Sequence, residues 1–317
     1  MNIKKIGLTA LAASLVSVSA HAGEMSVAGG ASIGLKNTSK TSSGKSWTMG
    51  NQLTFTGSGE LDNGMNVSLS FVLDQADDST TGIANAPFDS HSVTVSSDSL
   101  GTLVFSGEGG SSAQSAIDTT AAGDAWNNGS GITAPRAAEA GNNSLMYTLP
   151  SVMDDLTLKA SYSPGSAGGP SATAWHIGYS GVEGLSLDYA VGQTETVGSE
   201  EEHTTMKASY AYSSFTISYS NTENAKDAAS GTDEEISSWN LAYTVSDDLS
   251  IAYGTETIET EGKSVDEEVD KFNVSYTTGG VTLSASQFNA SGVGNTTTEA
   301  HNTGDKDRWS LSATFAF

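Results

Sequence analysis

The sequence predicts an all-β protein: a closed antiparallel transmembrane β-barrel of about 16 strands, with short turns at one rim and long loops at the other. Three observations predict it. Apolar and polar residues alternate with a period of two along most of the chain, and a Tyr-turn-strand unit recurs. No uninterrupted apolar run downstream of the start reaches the roughly 18 residues that a spanning helix needs.

The chain opens on MNIKKIGLTALAASLVSVSAHA, with Lys4 and Lys5, an apolar run from Ile6 to about Ala20, and Ala20-His21-Ala22 as an A-x-A cleavage site. Residues 1–22 therefore read as an export signal that is removed, leaving 23–317 as one barrel domain. The signal carries two of the 13 Lys+Arg and none of the 37 Asp+Glu, so the mature charge is 11 minus 37, or -26. Nucleic acid is excluded as a partner at that charge. There is no cysteine, so an exported chain of this length is not held by disulfides. Hydrophobic residues make up only 37%, too few for the large core of a soluble domain. Two classes survive, a Ser/Thr-rich adhesive surface protein and a barrel whose apolar face looks outward into lipid, and the period of two favours the barrel.

The first strand falls near 25–35 and leads to a polar connection at 37–45. Strands two and three meet at the turn LDNG, 61–64, after which Met65, Val67, Leu69, Phe71 and Leu73 share one face. A connection at 75–89 follows, then the turn SDSLG at 97–101. The stretch after the fifth strand, 107–142, is the longest connection. From there the repeat takes over: YTLPSVMDDLTLKASY from Tyr147, YSGVEGLSLDY from Tyr179, YSSFTISY from Tyr212, YTVSDDLSIAY from Tyr243 and YTTGGVTLSAS from Tyr276. Each is an aromatic, a tight turn and an alternating strand, the signature of a hairpin. Polar, often acidic connections separate them at 164–171, 192–203, 222–234, 259–268 and 289–306. The last strand sets Trp309, Leu311, Ala313, Phe315 and Phe317 against Arg308, Ser310, Ser312, Thr314 and Ala316. Eight long connections and seven short turns join 16 strands, and an even number lets the first strand close antiparallel on the last.

Aromatic placement supports the membrane reading, because Trp and Tyr favour the two lipid–water interfaces. Trp47, Trp175, Trp239 and Trp309 each follow a long connection, where Tyr162, Tyr189, Tyr219 and Tyr253 join them. Tyr147, Tyr179, Tyr212, Tyr243 and Tyr276 stand at the short-turn end. Two girdles emerge, whereas the core of a soluble sandwich would hold its aromatics mid-strand.

With the signal, the Tyr-turn-strand repeat and the WSLSATFAF ending on Phe317, the mature chain from about Met25 to Phe317 resembles the general porins of the Gram-negative outer membrane, a sixteen-stranded family. The resemblance implies a homotrimer of water-filled barrels among outer-membrane lipid and lipopolysaccharide, through which small hydrophilic solutes and ions diffuse passively. It implies that Phe317 is read by the barrel assembly machinery, and that the third external loop, here 107–142, folds inward to narrow the pore. The Pro-Glu-Phe-Gly-Gly signature of enteric members is absent, so the likeness is to non-enteric porins. The constriction candidates on that loop are Glu108, Asp118, Asp124, Arg136 and Glu139.

By alternation, Lys36, Lys159, Lys207, Lys271 and Arg308 face the lumen. They form either a basic patch opposite the acidic loop that tunes passage, or ordinary lumen charges and pairs that hold the loop in place. Excess carboxylate around a narrow aqueous pore predicts weak cation selectivity. The acidic runs at 200–202, 233–235 and 266–268 read as solvated loop charge in preference to divalent-cation sites, since no fixed ligand spacing accompanies them. A solute-specific channel would line its lumen with an aromatic ladder, and only Trp126 departs from the outward pattern. A structural or adhesive barrel without an open pore is the third reading.

No enzyme, cofactor or metal chemistry is expected. His91, His176, His203 and His301 are isolated, Gly44-Lys45-Ser46 lacks the upstream glycine of a phosphate loop, and the GASIG match to G-x-S-x-G sits inside the first strand instead of a strand-to-helix elbow.

Overall fold

The computed structural model describes residues 23–38, 44–74, 88–128, 130–138, 142–165, 169–227, 231–299 and 303–317. The export-signal residues 1–22, Glu139 and His301 lie outside them.

The described residues form 16 strands: β1 (Glu24–Thr38), β2 (Gly44–Glu60), β3 (Asn66–Asp74), β4 (Phe88–Ser97), β5 (Gly101–Glu108), β6 (Ser144–Thr148), β7 (Leu156–Ser163), β8 (Ser171–Val182), β9 (Leu185–Thr196), β10 (Ser199–Tyr212), β11 (Phe215–Asp227), β12 (Glu234–Ser246), β13 (Leu249–Thr260), β14 (Glu267–Thr278), β15 (Val281–Val293) and β16 (Gly304–Ala316). Each pairs antiparallel with its sequence neighbour, and β1 closes on β16 to complete one barrel. Closure leaves no unpaired edge, the condition for strands to cross lipid. At the seam Lys36 stands opposite Ser310 and Thr38 opposite Arg308, so the two bases are diagonal neighbours.

The period of two sorts each strand into an outward and an inward set. On β8, Thr173, Trp175 and Ile177 are exposed on the outside while Ala172, Ala174 and His176 are buried on the inside. Trp47, at 73% exposure, and Tyr212, at 71%, are apolar surface that a water-soluble fold would hide. Neighbouring outward aromatics pair across strands, Phe55 with Phe71 at 4.7 Å and Trp239 with Tyr253 at 5.5 Å between ring centroids. Trp175, Trp239, Tyr147, Tyr179 and Tyr276 are exposed on the same outer surface, with Trp309 and Tyr243 half-buried there.

Three connections differ from the sequence expectation, one of them 289–306, which shrinks because β15 runs on to Val293 and β16 starts at Gly304. The segment 192–203 is no loop, because β9 runs on to Thr196 and β10 starts at Ser199 around a tight turn in which Gly198 adopts φ 83°. The segment 222–234 is shorter than expected, because β11 continues to Asp227. Above the apolar band the outer face of a strand meets water and the inner face meets a polar loop, so Thr, Asn and Glu occupy both; the backbone ladder continues while the alternation that advertises it stops. The acidic residues 200–202, 234–235 and 267–268 consequently lie on strands, and only Asp233 and Asp266 of the three runs stay in connections.

Candidate functional site

The connection between β5 and β6 lies against the inside of the barrel. Ala113 N–H donates to Ser161 Oγ on β7 at 2.8 Å, and Gln114 Nε2 to Thr205 Oγ1 on β10 at 2.9 Å. Ala121 N–H donates to Ser220 Oγ on β11 at 2.8 Å and Ala122 N–H to Ser238 Oγ on β12 at 3.0 Å. Inward hydroxyls thus satisfy loop amides that no ladder could serve. The loop also folds on itself through short side chains. Asp124 Oδ1 accepts from Thr120 N–H at 3.0 Å, while Thr120 Oγ1 accepts from Asp124 N–H at 2.8 Å, a reciprocal cap on a tight turn.

Glu256 on β13 is the deepest anchor. Only 1% exposed, its carboxylate accepts from Thr120 Oγ1 and, at 2.7 Å each, from the N–H groups of Ala125 and Trp126. Beside it, Ala122 and Ala125 pack on Val269, Ala290 and Val293, with Ile132 and Phe288 at the margin. Apolar side chains on the inside of a wet barrel have burial to gain only where the loop covers them. Glycines admit the close approach: a Cβ at Gly254 would stand 2.8 Å from that of Ala122, and one at Gly192 2.5 Å from that of Ala138.

The returning limb has its own clamp. Arg136 forms an ion pair with Glu201 on β10, its N–H donates to Glu234 Oε2 on β12 at 3.1 Å, and its guanidinium donates to Thr232 O at 2.7 Å. Behind it, Asn224 Nδ2 donates to the same Glu234 oxygen at 2.9 Å, and the buried His203 is hydrogen-bonded to Asn224 Oδ1 at 2.8 Å. The inward members of two acidic runs therefore serve the loop.

Of the expected constriction residues, Asp118 and Asp124 stand together on the inner limb, both half-exposed. Burial, and then the neighbouring Asp124 charge, push the Asp118 carboxyl up to about 6, with Lys207 and a backbone hydrogen bond opposing. Glu108 ends β5 opposite His91 at the root of the loop, apart from that pair. Arg136 is committed to Glu201. Among the lumen bases, Lys207 donates to Thr119 O at 2.6 Å and Lys271 to Ala122 O at 3.0 Å, so these two hold the loop's backbone. Lys159 stands across from His176, which itself pairs with Asp188 at 2.9 Å, and Lys36 and Arg308 meet at the seam.

Sequence reading missed Glu256, Gln114, Glu201 and Glu234. Glu256 was within reach: the alternation that turns Ile251 and Tyr253 outward turns Glu256 inward. His176 and Asp188 are twelve residues apart, and only the β8–β9 register, with Gly178 opposite Asp188, brings them together.

A family model described as Gram-negative porin matches residues 7–277. No curated protein sequence matches the chain. Among solved structures, the trimer form of OmpT, an outer membrane protein of Vibrio cholerae, superposes with a TM-score of 0.69 at 13% identity, covering 93% of this chain and 99% of that one. The anion-selective porin from Comamonas acidovorans gives 0.71 at 12% identity, with 93% and 100% covered. A mutant of the Rh. blastica porin gives 0.68 at 14%, also with 93% and 100% covered. At these identities the likeness is one of fold.

Proposed function

Because the chain belongs to the Gram-negative porin family, we propose that it forms a general diffusion channel of the outer membrane, water-filled, weakly cation-selective and open to small hydrophilic solutes. The observation that carries this reading is the β5–β6 loop held inside the barrel with Asp118 and Asp124 beside each other on it. The wall that those contacts leave uncovered is lined with hydroxyls: Thr56, Ser70, Ser92 and Ser106 stand opposite one another across β2 to β5. Such a wall offers donors and acceptors to any hydrated solute and favours neither sign of charge. Selectivity then falls to the loop carboxylates and to a chain with a formal net charge of -24, which concentrate cations in a narrow pore. One structural relative is described as anion-selective, so the fold alone leaves the sign open and the side chains decide it.

The wider reading follows the same lines. Removal of residues 1–22 during export, contact of the aromatic girdles with lipid and lipopolysaccharide, recognition of Phe317 by the assembly machinery and association as a homotrimer complete it. The experiment is single-channel recording in a planar bilayer. Large steps insensitive to sugars, with a reversal potential of cationic sign under a KCl gradient, are expected. Steps blocked by one solute would mark a specific channel, an anionic sign would overturn the selectivity, and no steps would mark a structural barrel.

A further inference from the structure

We propose that Glu256 is the positioning residue of the pore: by binding the 120–126 turn of the β5–β6 loop it fixes where the carboxylates of Asp118 and Asp124 stand in the lumen. This rests on the diffusion-channel reading above.

Three observations lead there. First, every hydrogen bond described for the Glu256 carboxylate comes from the loop, and a carboxylate this buried is tolerated only while such donors satisfy it. Second, Thr120 links the anchor to the acidic pair, since its hydroxyl donates to Glu256 and at the same time accepts from Asp124 N–H. Displacing Glu256 therefore frees the residue that holds Asp124. Third, Gly254, the preceding inward position of β13, lets Ala122 rest on the strand backbone, so this part of the wall is shaped to receive the turn. Lys207 binds Thr119 O just before the turn and Lys271 the carbonyls of Ala122 and Gly123 within it, which leaves the N–H groups of Ala125 and Trp126 to Glu256.

The test uses the full-length folded protein in planar bilayers. Glu256→Ala removes all three acceptor contacts. It is expected to turn quiet steps into fluctuating ones and to shrink the reversal potential under a KCl gradient by roughly twofold, as the carboxylate pair loses its fixed place. Glu256→Gln keeps an oxygen for Thr120 and Ala125 but turns an amide N–H toward the N–H of Trp126, so it should fall between Ala and the parent. It is isosteric, and decides the matter should Glu256→Ala fail to fold. Rescue supplies a readout that a merely structural role would not move. The chain has no cysteine, and Gly254→Cys with Ala122→Cys sets two thiols at a site where the Cβ atoms would be 2.8 Å apart and the strand Cβ 2.8 Å from the Trp239 carbonyl oxygen, so a disulfide needs the turn to yield by about 1 Å and the strand backbone to adjust with it. In the Glu256→Ala background, oxidation should restore quiet steps and the parental reversal potential, and reduction should abolish both. Folded Glu256 variants with parental noise, conductance and reversal potential would overturn the proposal. Absence of any step from the unsubstituted protein would instead sink the channel reading, and the positioning role with it.

Discussion

Phe317 lies over Gly29. The two exchange backbone hydrogen bonds, Gly29 N–H to Phe317 O at 2.7 Å and Phe317 N–H to Gly29 O at 3.0 Å, and a Cβ on Gly29 would meet the ring at 2.3 Å. The terminal aromatic therefore also caps the seam where β1 meets β16, using the one residue type that leaves room for it. Gly29→Val should push the ring, which is 76% exposed and free to swing, off the seam and cost up to about 1 kcal/mol through the lost contact. The variant is expected to refold into lipid vesicles to a lower yield and to unfold at lower urea, by heat-modifiable gel mobility and far-UV circular dichroism. Because vesicles contain no assembly machinery, the measurement isolates this intramolecular role from the proposed recognition of Phe317. Equal urea midpoints for parent and variant would rule the seam role out.

On the diffusion-channel reading, Asp118 should make ion selectivity depend on pH. Its carboxyl, raised from 3.8 to about 6 chiefly by burial, is charged at neutral pH and loses that charge as the pH falls through about 6. A carboxyl raised on folding works against the seat when ionised. Its contribution to loop stability is thus fully present below about 4 and is lost as the pH rises through about 6. The two readouts run in opposite directions: cation preference should weaken on acidification while the loop grows harder to dislodge. Reversal potentials taken between pH 8 and pH 4.5 should show a step near 6 that Asp118→Asn removes. A step that survives the substitution would assign the titration to another group.

The barrel was legible because lipid imposes the period of two that places Leu311, Ile251 and Trp239 on the outside, and five hairpins announce themselves by a turn after Tyr147, Tyr179, Tyr212, Tyr243 or Tyr276. The extended strands around Glu200 and Lys226 were not, since no lipid sorts their faces; backbone register alone, Glu201 opposite Lys226, keeps them in the sheet. The loop candidates Asp118 and Asp124 could be read from composition, yet the residues that seat them come from five other strands. Glu256 meets Thr120 across 136 positions of sequence, a pairing that exists only once the barrel has closed. For Lys207 and Lys271, alternation gave the correct face and left the partner undecided.

The Arg136 clamp predicts an asymmetric double-substitution cycle. Arg136→Met would take the ion-pair partner from the Glu201 side chain, 13% exposed, and leave Lys226 on the facing strand as the cation across from it, at a local cost of about 1 kcal/mol. Adding Glu201→Gln removes the stranded charge and should recover more than half of the loss. Amide exchange of the 130–138 limb, followed by mass spectrometry, reads this opening without unfolding the barrel. Additive effects of the two substitutions would show that the pair does not act as a clamp.

Lys271 separates the two roles that sequence left open for the lumen bases. Its ammonium donates to Ala122 O at 3.0 Å and lies 5.8 Å from the centre of the Phe288 ring, so it is packed between loop and wall. Lys271→Gln discards the charge and keeps a donor, one bond shorter, directed at the carbonyl; Lys271→Met discards both. If the lysine tunes passage by charge, the two variants shift the reversal potential equally, because each removes one positive charge from the lumen. With a tether, Lys271→Met alone should add current noise and speed amide exchange in the 119–126 turn, while Lys271→Gln keeps the parental quiet steps. The contacts place Lys271 on the tether side of that choice, since a group already bonded to the loop and stacked near Phe288 has little freedom to meet a passing ion.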